Sequence, residues 1–288
     1  MNKNDVVLIT GGNSGMGKAT AFELAKLGAK VVILCRNKER GEKALEQIKL
    51  ESNSDNIDLM FCDLGDLDNI RKFAKEFSEK YKKLNILINN AGVIVPRRQE
   101  TKNGYELQFG VNHLGHFLLT NLLLDNLKLG APSRIVNVAS GAHKIGKIYF
   151  EDVNLTNNYT LIKAYGQSKL ANILFTYELS ERLKDSNITV NCLHPGAVAT
   201  QMGIDRKTGF GTLITRALKP FFQTPAQGAE TAIFLATSDE VSGVTGKYFC
   251  KKKAIKSSQS SYNKEIAERL WAISDEMTGL KWFRLNKS

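Results

Sequence analysis

The chain has 288 residues, of which 42% are hydrophobic and 24% charged, and its formal net charge is +11. This size and composition fit one large domain with a substantial core, and no apolar run is long enough for a membrane span. The first five residues leave no room for a signal peptide before the first apolar run, so we expect a cytoplasmic protein.

The positive charge is spread along the chain rather than gathered in one place. Its sharpest cluster, at residues 251–253, is short, and no nucleic-acid-binding signature accompanies it. We therefore interpret the charge as solvated surface that helps to attract an anionic cofactor, and we expect no nucleic-acid partner. The four cysteines never form Cys-x-x-Cys, which predicts small core residues in a reducing compartment.

The first predicted unit is a strand, a glycine loop and a helix. Residues 6–9 are apolar and β-branched, and residues 19–27 form an amphipathic run that ends at Gly28. Between them lies a loop that contains Gly11, Asn13, Ser14, Gly15, Met16 and Gly17. This context predicts a dinucleotide pyrophosphate site, because glycines allow close backbone approach and a helix N-terminus supplies amide donors. The alternative is an ordinary glycine-rich turn.

The second predicted strand, at residues 30–34, leads into Cys35-Arg36-Asn37. An NAD site usually has an acidic residue here, whereas an arginine accommodates the 2′-phosphate of NADP. No acid occurs between Gly28 and Lys38, and the guanidinium of Arg36 suits a phosphate. We therefore predict NADP as the cofactor; a solvated arginine after a strand is the alternative.

The rest of the chain continues the alternation of strands and helices. Further strands are predicted at residues 57–61, 84–88, 134–138, 188–193 and 247–249, and further helices at 39–50, 67–81 and 104–127. This order predicts an α/β fold: one domain with a doubly wound, Rossmann-like parallel sheet and helices on both faces. Asp63, residues 89–92, Ser140 and residues 195–196 follow strand ends, where such sheets bind ligands.

A helix predicted around residues 165–177 carries the pair Tyr165 and Lys169. Residues four apart lie on the same helix face, so the ammonium can approach the phenol and lower its pKa from about 10. Such a phenol could exchange a proton with an alcohol or carbonyl oxygen. A Tyr-x-x-x-Lys pair alone is a weak signal, because many solvated helices carry one.

Taken together, these motifs resemble those of the classical short-chain dehydrogenase/reductase family over about residues 5–280. The resembling residues are the loop at 10–17, residues 89–92, Asn112, Ser140, Tyr165, Lys169 and residues 195–196. Four further segments are similar to the retinol-dehydrogenase-like branch: residues 34–37, 110–117, 168–172 and 267–271.

The resemblance implies four catalytic residues. Tyr165 would be the acid in carbonyl reduction and the base in alcohol oxidation. Lys169 would hold the nicotinamide ribose and lower the pKa of the tyrosine. Ser140 would hydrogen-bond the substrate oxygen, and Asn112 would help to hold a water molecule that links Lys169 to solvent. The substrate implied is a small-molecule carbonyl or alcohol.

The resemblance also implies cofactor contacts. Gly11, Gly15 and Gly17 would take the pyrophosphate, Asp63 the adenine amino group, and Leu64 would lie against the adenine ring. The adenosine ribose side would be lined by Asn90, Ala91 and Gly92. The nicotinamide would be flanked by Pro195, Gly196, Val198 and Thr200.

Two other classes of protein are alternatives to an oxidoreductase. A methyltransferase would not need Tyr165, Lys169 and Ser140 together and would prefer an acid at the position of Arg36. A catalytically silent NADP-binding regulatory protein would show a broken tetrad, whereas this tetrad is complete. His113 and His116 have a metal-ligand spacing but no evident third ligand, so a structural role is favoured.

Several segments bear on the substrate and on assembly. Residues 201–224, apolar and interrupted by glycines, are predicted to form a mobile substrate lid, which favours an apolar carbonyl or alcohol. Basic residues there leave open a carboxylate-bearing substrate or contact with a membrane surface. Residues 141–160 are predicted to form a wall of the cleft, and 250–288 a C-terminal extension. The apolar stripe at 117–124 is core in the first place and could also serve a homo-oligomer.

Overall fold

A central sheet of eight strands organises the chain. The computed structural model describes residues 2–3, 5–196 and 223–280, so that most of the predicted lid at 201–224 lies outside the described residues. The strands are β1 (Val6–Thr10), β2 (Lys30–Cys35), β3 (Ile57–Phe61), β4 (Ile86–Asn89), β5 (Ser133–Val138), β6 (Ile188–Leu193), β7 (Tyr248–Cys250) and β8 (Lys253–Ile255). Their order in the sheet is β3-β2-β1-β4-β5-β6-β7-β8.

The first seven strands are parallel, and β8 pairs antiparallel with β7 at the edge. The predicted α/β fold with a doubly wound parallel sheet is therefore confirmed. The strand order reverses between β1 and β4, which creates a crevice at the carboxyl ends of these strands. All five residues of β1 are buried, as expected for a strand covered on both faces.

Helices cover both faces of the sheet. They are α1 (Gly15–Lys26), α2 (Lys38–Ser52), α3 (Leu67–Lys80), α4 (Leu107–Phe109), α5 (Gly115–Leu122), α6 (Leu124–Leu129), α7 (Leu161–Arg182), α8 (Pro225–Thr237) and α9 (Lys264–Thr278). On one face, Leu24 of α1 and Leu235 of α8 pack against Val7 and Ile9 of β1. On the other face, Val6 and Leu8 share a core with α3, α5, α7 and α9.

The helix predicted at residues 104–127 is confirmed in part, because the helical run begins at Leu107 and continues to Leu122. The chain forms α4, a π-helical turn at Gly110–Leu114, α5 and α6, with a break at Leu123. Gly115 follows the π-turn and permits close packing, because a Cβ on this residue would lie 2.5 Å from the carbonyl oxygen of Leu64. Such π-turns are rare and frequently occur at functional sites.

The carboxyl-terminal part of the described chain is integral to the core. The indole of Trp271 on α9 packs against Phe117 of α5, with ring centroids 4.9 Å apart. The sequence predicted one last strand at 247–249 and missed β8, which follows a turn where Lys251 and Lys252 have positive φ angles of 49° and 62°. Such turns favour asparagine, aspartate and glycine, so two lysines give no local signal for one.

Two further expectations concern the core and the membrane. Of the four cysteines predicted to be core residues, Cys35, Cys62 and Cys192 are buried free thiols, whereas Cys250 is a half-buried free thiol. Phe117 and Leu118 of the apolar stripe are fully buried and belong to the core. Within the described ranges, no helix combines the length and apolarity that crossing a bilayer requires.

Candidate active site

The glycine loop between β1 and α1 has the geometry of an anion site. Gly11 and Gly15 have φ angles of 66° and 53°, in the left-handed region that glycine adopts freely. A Cβ on Gly17 would collide with the carbonyl oxygen of Gly11 and the amide of Asn90. Residue 17 must therefore be glycine, because the start of α1 packs directly against the loop and Asn90.

The start of α1 is free to bind an anion. Ser14 is its N-cap residue, yet its side chain makes no capping hydrogen bond, and the first turn contains no acidic residue. The first amide groups of a helix lack partners within the helix and carry partial positive charge. Asn13 precedes this cap and is half-buried, whereas Met16 is buried against Val138. The loop therefore fits the pyrophosphate of a dinucleotide, as the sequence predicted.

Thr10 connects this loop to the next strand end, a role that the sequence analysis missed. Its Oγ1 accepts hydrogen bonds from the backbone N–H groups of Asn90 and Ala91, each at 2.9 Å. Nε2 of His116 lies 2.9 Å from the same oxygen. The carbonyl oxygen of Asn112 can only accept, so Nδ1 of His116, 3.0 Å away, carries the ring proton. Nε2 is then the unprotonated nitrogen and accepts from the Thr10 hydroxyl, which also lies 3.5 Å from the carbonyl oxygen of Ile88.

Asn112 acts as a clamp between two elements. Its Oδ1 accepts from the N–H of Val93 at 2.8 Å, and its Nδ2 donates to the carbonyl of Val93 and to Oγ of Ser168, both at 3.1 Å. The clamp holds the loop after Gly92 against α7, the helix of Tyr165. The side chain is thus fully engaged in protein contacts, and its predicted part in holding a water molecule stays a prediction.

The adenosine side of the predicted site lies at the ends of β2 and β3. Nη1 of Arg36 is 3.5 Å from Oδ2 of Asp63, so the two predicted contacts also form an ion pair. Oδ1 of Asp63 accepts from the N–H of Gly65 at 2.9 Å. Asn37 caps α2 through its side chain. Leu64 is 6% exposed and packs in the core, which limits the surface it offers to an adenine ring.

Ser140, Tyr165 and Lys169 are brought together at the carboxyl end of β5. Ser140 caps a 3₁₀ turn at Gly141–Ile145, and its hydroxyl lies close enough to the phenol of Tyr165 to oppose the rise of its pKa. Nζ of Lys169 lies 5.6 Å from the centroid of the Tyr165 ring and donates to the carbonyl oxygen of Val138 at 3.2 Å. The lysine is 2% exposed.

The pKa of Tyr165 corrects one expectation from the sequence, namely that Lys169 lowers it. Burial raises the pKa of the Tyr165 phenol, and the hydrogen bond from Ser140 only partly opposes the rise. The protein groups therefore do not lower this pKa, because the ammonium of Lys169 points to Val138 and lies over the ring rather than at the hydroxyl. Burial also lowers the pKa of Lys169 to about 8. At neutral pH the phenol is protonated and can serve as an acid.

A ladder of buried amides and hydroxyls aligns α7 with the sheet. Nδ2 of Asn89 donates to Oδ1 of Asn137 at 2.8 Å, and Nδ2 of Asn137 donates to Oγ1 of Thr176 at 2.9 Å. Nδ2 of Asn172 reaches the same Val138 carbonyl as Lys169, also at 3.2 Å. Each of these hydrogen bonds joins β5 to either β4 or α7. The ladder therefore fixes the position of Tyr165 and Lys169 relative to the carboxyl ends of the strands.

The remaining predicted residues follow β6 or lie in the core. Gly196 has a φ angle of 84° and donates its N–H to Nδ1 of His194 at 3.0 Å, after Pro195. Val198 and Thr200 lie outside the described residues. His113 bonds Oγ of Ser274 at 2.8 Å, a structural contact, and the described part of the chain holds no group of three metal-ligating side chains.

Comparisons with known proteins agree with this geometry. A family model described as short chain dehydrogenase matches residues 5–209. Mouse "Retinol dehydrogenase 12" (Mus musculus) is 46% identical over 277 residues, which cover 96% of this chain and 87% of that protein. Human "Retinol dehydrogenase 14" (Homo sapiens) is 45% identical over 291 residues, covering 95% and 86%.

Solved structures share the fold. An uncharacterized protein from Mycobacterium paratuberculosis superposes with a TM-score of 0.78 at 33% identity, covering 96% of this chain and 94% of that one. The NADP complex of Pseudomonas aeruginosa RhlG superposes with a TM-score of 0.68 at 25% identity, covering 86% and 94%.

Proposed function

We propose a reaction for this chain, which belongs to the short-chain dehydrogenase family and to its retinol-dehydrogenase-like branch. The chain is an oxidoreductase that transfers a hydride between NADP(H) and a carbonyl/alcohol pair. The substrate is an apolar aldehyde, ketone or alcohol, and Tyr165 is the acid or base. Retinol and retinaldehyde belong among the compounds to be tested, because relatives carry the name retinol dehydrogenase.

The observation that carries this proposal is the convergence of a protonated phenol, a hydroxyl and a buried ammonium beside the glycine loop. In reduction, Tyr165 donates its proton to the oxygen of the carbonyl group, while the hydroxyl of Ser140 hydrogen-bonds that oxygen and polarises it. In oxidation the phenolate takes the proton from the alcohol. A bound dinucleotide would supply or accept the hydride.

Lys169 lies over the ring of Tyr165 and would hold the nicotinamide ribose of the bound cofactor. Its pKa of about 8 leaves a large part of its population charged at neutral pH. The carbonyl of Val138 and the amide ladder hold the lysine in place, so its position does not depend on the substrate.

The cofactor proposed is NADP. Gly11, Gly15 and Gly17 with the start of α1 would hold the pyrophosphate, and Arg36 would bind the 2′-phosphate. The exposed side chain of Arg36 is accessible to such a ligand, and its nearest anionic neighbour is Asp63. A related structure contains NADP, which supports this choice without deciding it.

The proposal is tested by Tyr165→Phe, which removes only the hydroxyl. Turnover over a panel of aldehydes, ketones and alcohols should fall by about 10²–10⁴-fold, the usual contribution of general acid–base catalysis, while NADPH affinity changes little. Tyr105→Phe is the matched control, since it deletes a hydroxyl that donates to the carbonyl oxygen of Met277 instead. Near-wild-type turnover in Tyr165→Phe would refute the role of the tyrosine. NADPH binding by the wild-type chain without turnover on any compound would favour the regulatory alternative.

A further inference from the structure

The side chain of His143 lies directly behind the catalytic turn and has no part in the proposed reaction. It follows Ser140 by three residues, and it is fully buried. Nδ1 of its ring is 2.6 Å from the carbonyl oxygen of Ser140, and the backbone N–H of Ser258 donates to its Nε2 at 3.1 Å. A backbone N–H can only donate, so Nε2 must be the unprotonated nitrogen. Nδ1 therefore carries the proton and donates a hydrogen bond to the carbonyl oxygen of Ser140.

The partner of this histidine is firmly held. Ser258 belongs to a segment that we name the C-terminal strap, residues 257–262. In the strap, Oγ of Ser257 lies 2.7 Å from the hydroxyl of Tyr177, and the ring of Tyr262 stacks on Tyr177 with centroids 5.4 Å apart. Tyr177 lies on α7, the helix that also carries Tyr165. The strap is thus anchored on the helix that presents the catalytic phenol.

A second set of contacts links the same histidine to the loop after β6. The ring of Tyr248 packs against His143 at 5.0 Å with an interplanar angle of 64°, and against His194 at 6.3 Å with an angle of 14°. His194 accepts the N–H of Gly196. Both imidazoles therefore contact one phenol ring, and this ring links the turn of Ser140 to the loop after β6.

We propose that His143 is a positioning residue: in its Nδ1–H form it ties the backbone of Ser140 to the C-terminal strap and thereby sets the Ser140 hydroxyl relative to the Tyr165 phenol. This inference rests on the proposed function. Nothing in the contacts places His143 on the substrate, so it acts through Ser140. An error of about 1 Å in such a position can cost about 10²-fold in rate, which is why the support of the turn matters.

Isosteric substitutions separate the two hydrogen bonds. In His143→Asn the amide nitrogen occupies the place of Nδ1 and keeps the donation to Ser140, but no acceptor remains for Ser258. In His143→Gln the amide oxygen reaches the place of Nε2 and keeps the bond from Ser258, but the donation to Ser140 is lost. We expect each variant to lower kcat by about 10–100-fold with KM within about threefold, because the misplaced Ser140 acts in the transition state.

A double-mutant cycle with Ser140→Ala distinguishes a histidine that acts through Ser140 from one that has only a structural role. If His143 acts through Ser140, then His143→Asn should lower kcat little once the Ser140 hydroxyl is absent. His113→Gln is the control, because it alters another buried histidine whose partner is Ser274. Equal losses of kcat from His143→Asn in the wild-type and Ser140→Ala backgrounds would overturn the inference.

Hydrogen exchange at the Ser258 amide tests the link without any turnover. Its protection should fall at least tenfold in His143→Asn and persist in His143→Gln. Equal protection in the wild type and in His143→Asn would show that the strap does not depend on the histidine and would overturn the inference. Failure of the wild-type chain to turn over any compound would instead count against the proposed function, and the exchange measurement would still decide the link.

Discussion

The cofactor preference depends on Arg36, and the structure allows its contribution to be separated from effects on folding. The guanidinium lies at the end of β2, with its side chain 62% exposed, and its partner Asp63 is 39% exposed. We expect Arg36→Ala to weaken NADPH binding about 10–100-fold, because a charge-assisted hydrogen bond to the 2′-phosphate contributes roughly 1.5–3 kcal/mol. NADH has no such phosphate, so its affinity should change less than about threefold.

Asp63 can influence this experiment in two ways, and the magnitude of each effect can be stated. Loss of the ion pair with Asp63 could destabilise the fold, but exposed pairs contribute only about 0–1 kcal/mol, so the melting temperature should hardly move. Asp63 itself places a negative charge near the expected phosphate, and like charges about 4 Å apart in water repel by about 1 kcal/mol. Asp63→Asn keeps the Oδ1 acceptor for the N–H of Gly65 and should therefore raise the preference for NADPH up to about fivefold.

The assay is a titration of both reduced cofactors, followed by fluorescence or calorimetry. Arg40→Ala is the matched control, because it removes the same charge from the first turn of α2. The backbone N–H of residue 40 still donates to the side chain of Asn37 in this variant. Equal loss of affinity for NADPH and NADH in Arg36→Ala would refute the role of the guanidinium. A similar loss in Arg40→Ala would show that the general positive field, not a contact, attracts the cofactor.

The remaining predictions concern stability and the loop. Burial lowers the pKa of His113 to about 3 and that of His116 to about 4, from 6.5. The contribution of these neutral histidines to the free energy of unfolding is therefore fully present above pH 6.5 and is lost as the pH falls toward 4, by about 2 kcal/mol for each histidine at pH 5. Denaturant unfolding that is unchanged between pH 7.5 and 5 would contradict this. Gly17→Ala should weaken binding of either dinucleotide at least about tenfold, because its Cβ would meet Gly11 and Asn90. A titration showing unchanged affinity would mean that the loop adapts.

Short-range patterns were sufficient to predict the seven parallel strands and the position of the helix that carries Tyr165. The apolar, β-branched runs of β1 and β2 have ends that agree with the sequence within one residue, because parallel strands are buried on both faces. The spacing of Tyr165 and Lys169 is likewise local, since the geometry of one helix turn decides which side chains adjoin.

Only the tertiary structure decided the features that depend on contacts distant in sequence. The π-turn at Gly110–Leu114 accompanies the clamp of Asn112 on Val93, which no pattern within the helix reveals. The support of Ser140 by His143 requires Ser258, 115 residues away from the histidine. The pKa of Tyr165 was predicted in the wrong direction for the same reason. A neighbour four residues away can be seen in the sequence, whereas burial, which raises this pKa, is a property of the whole fold.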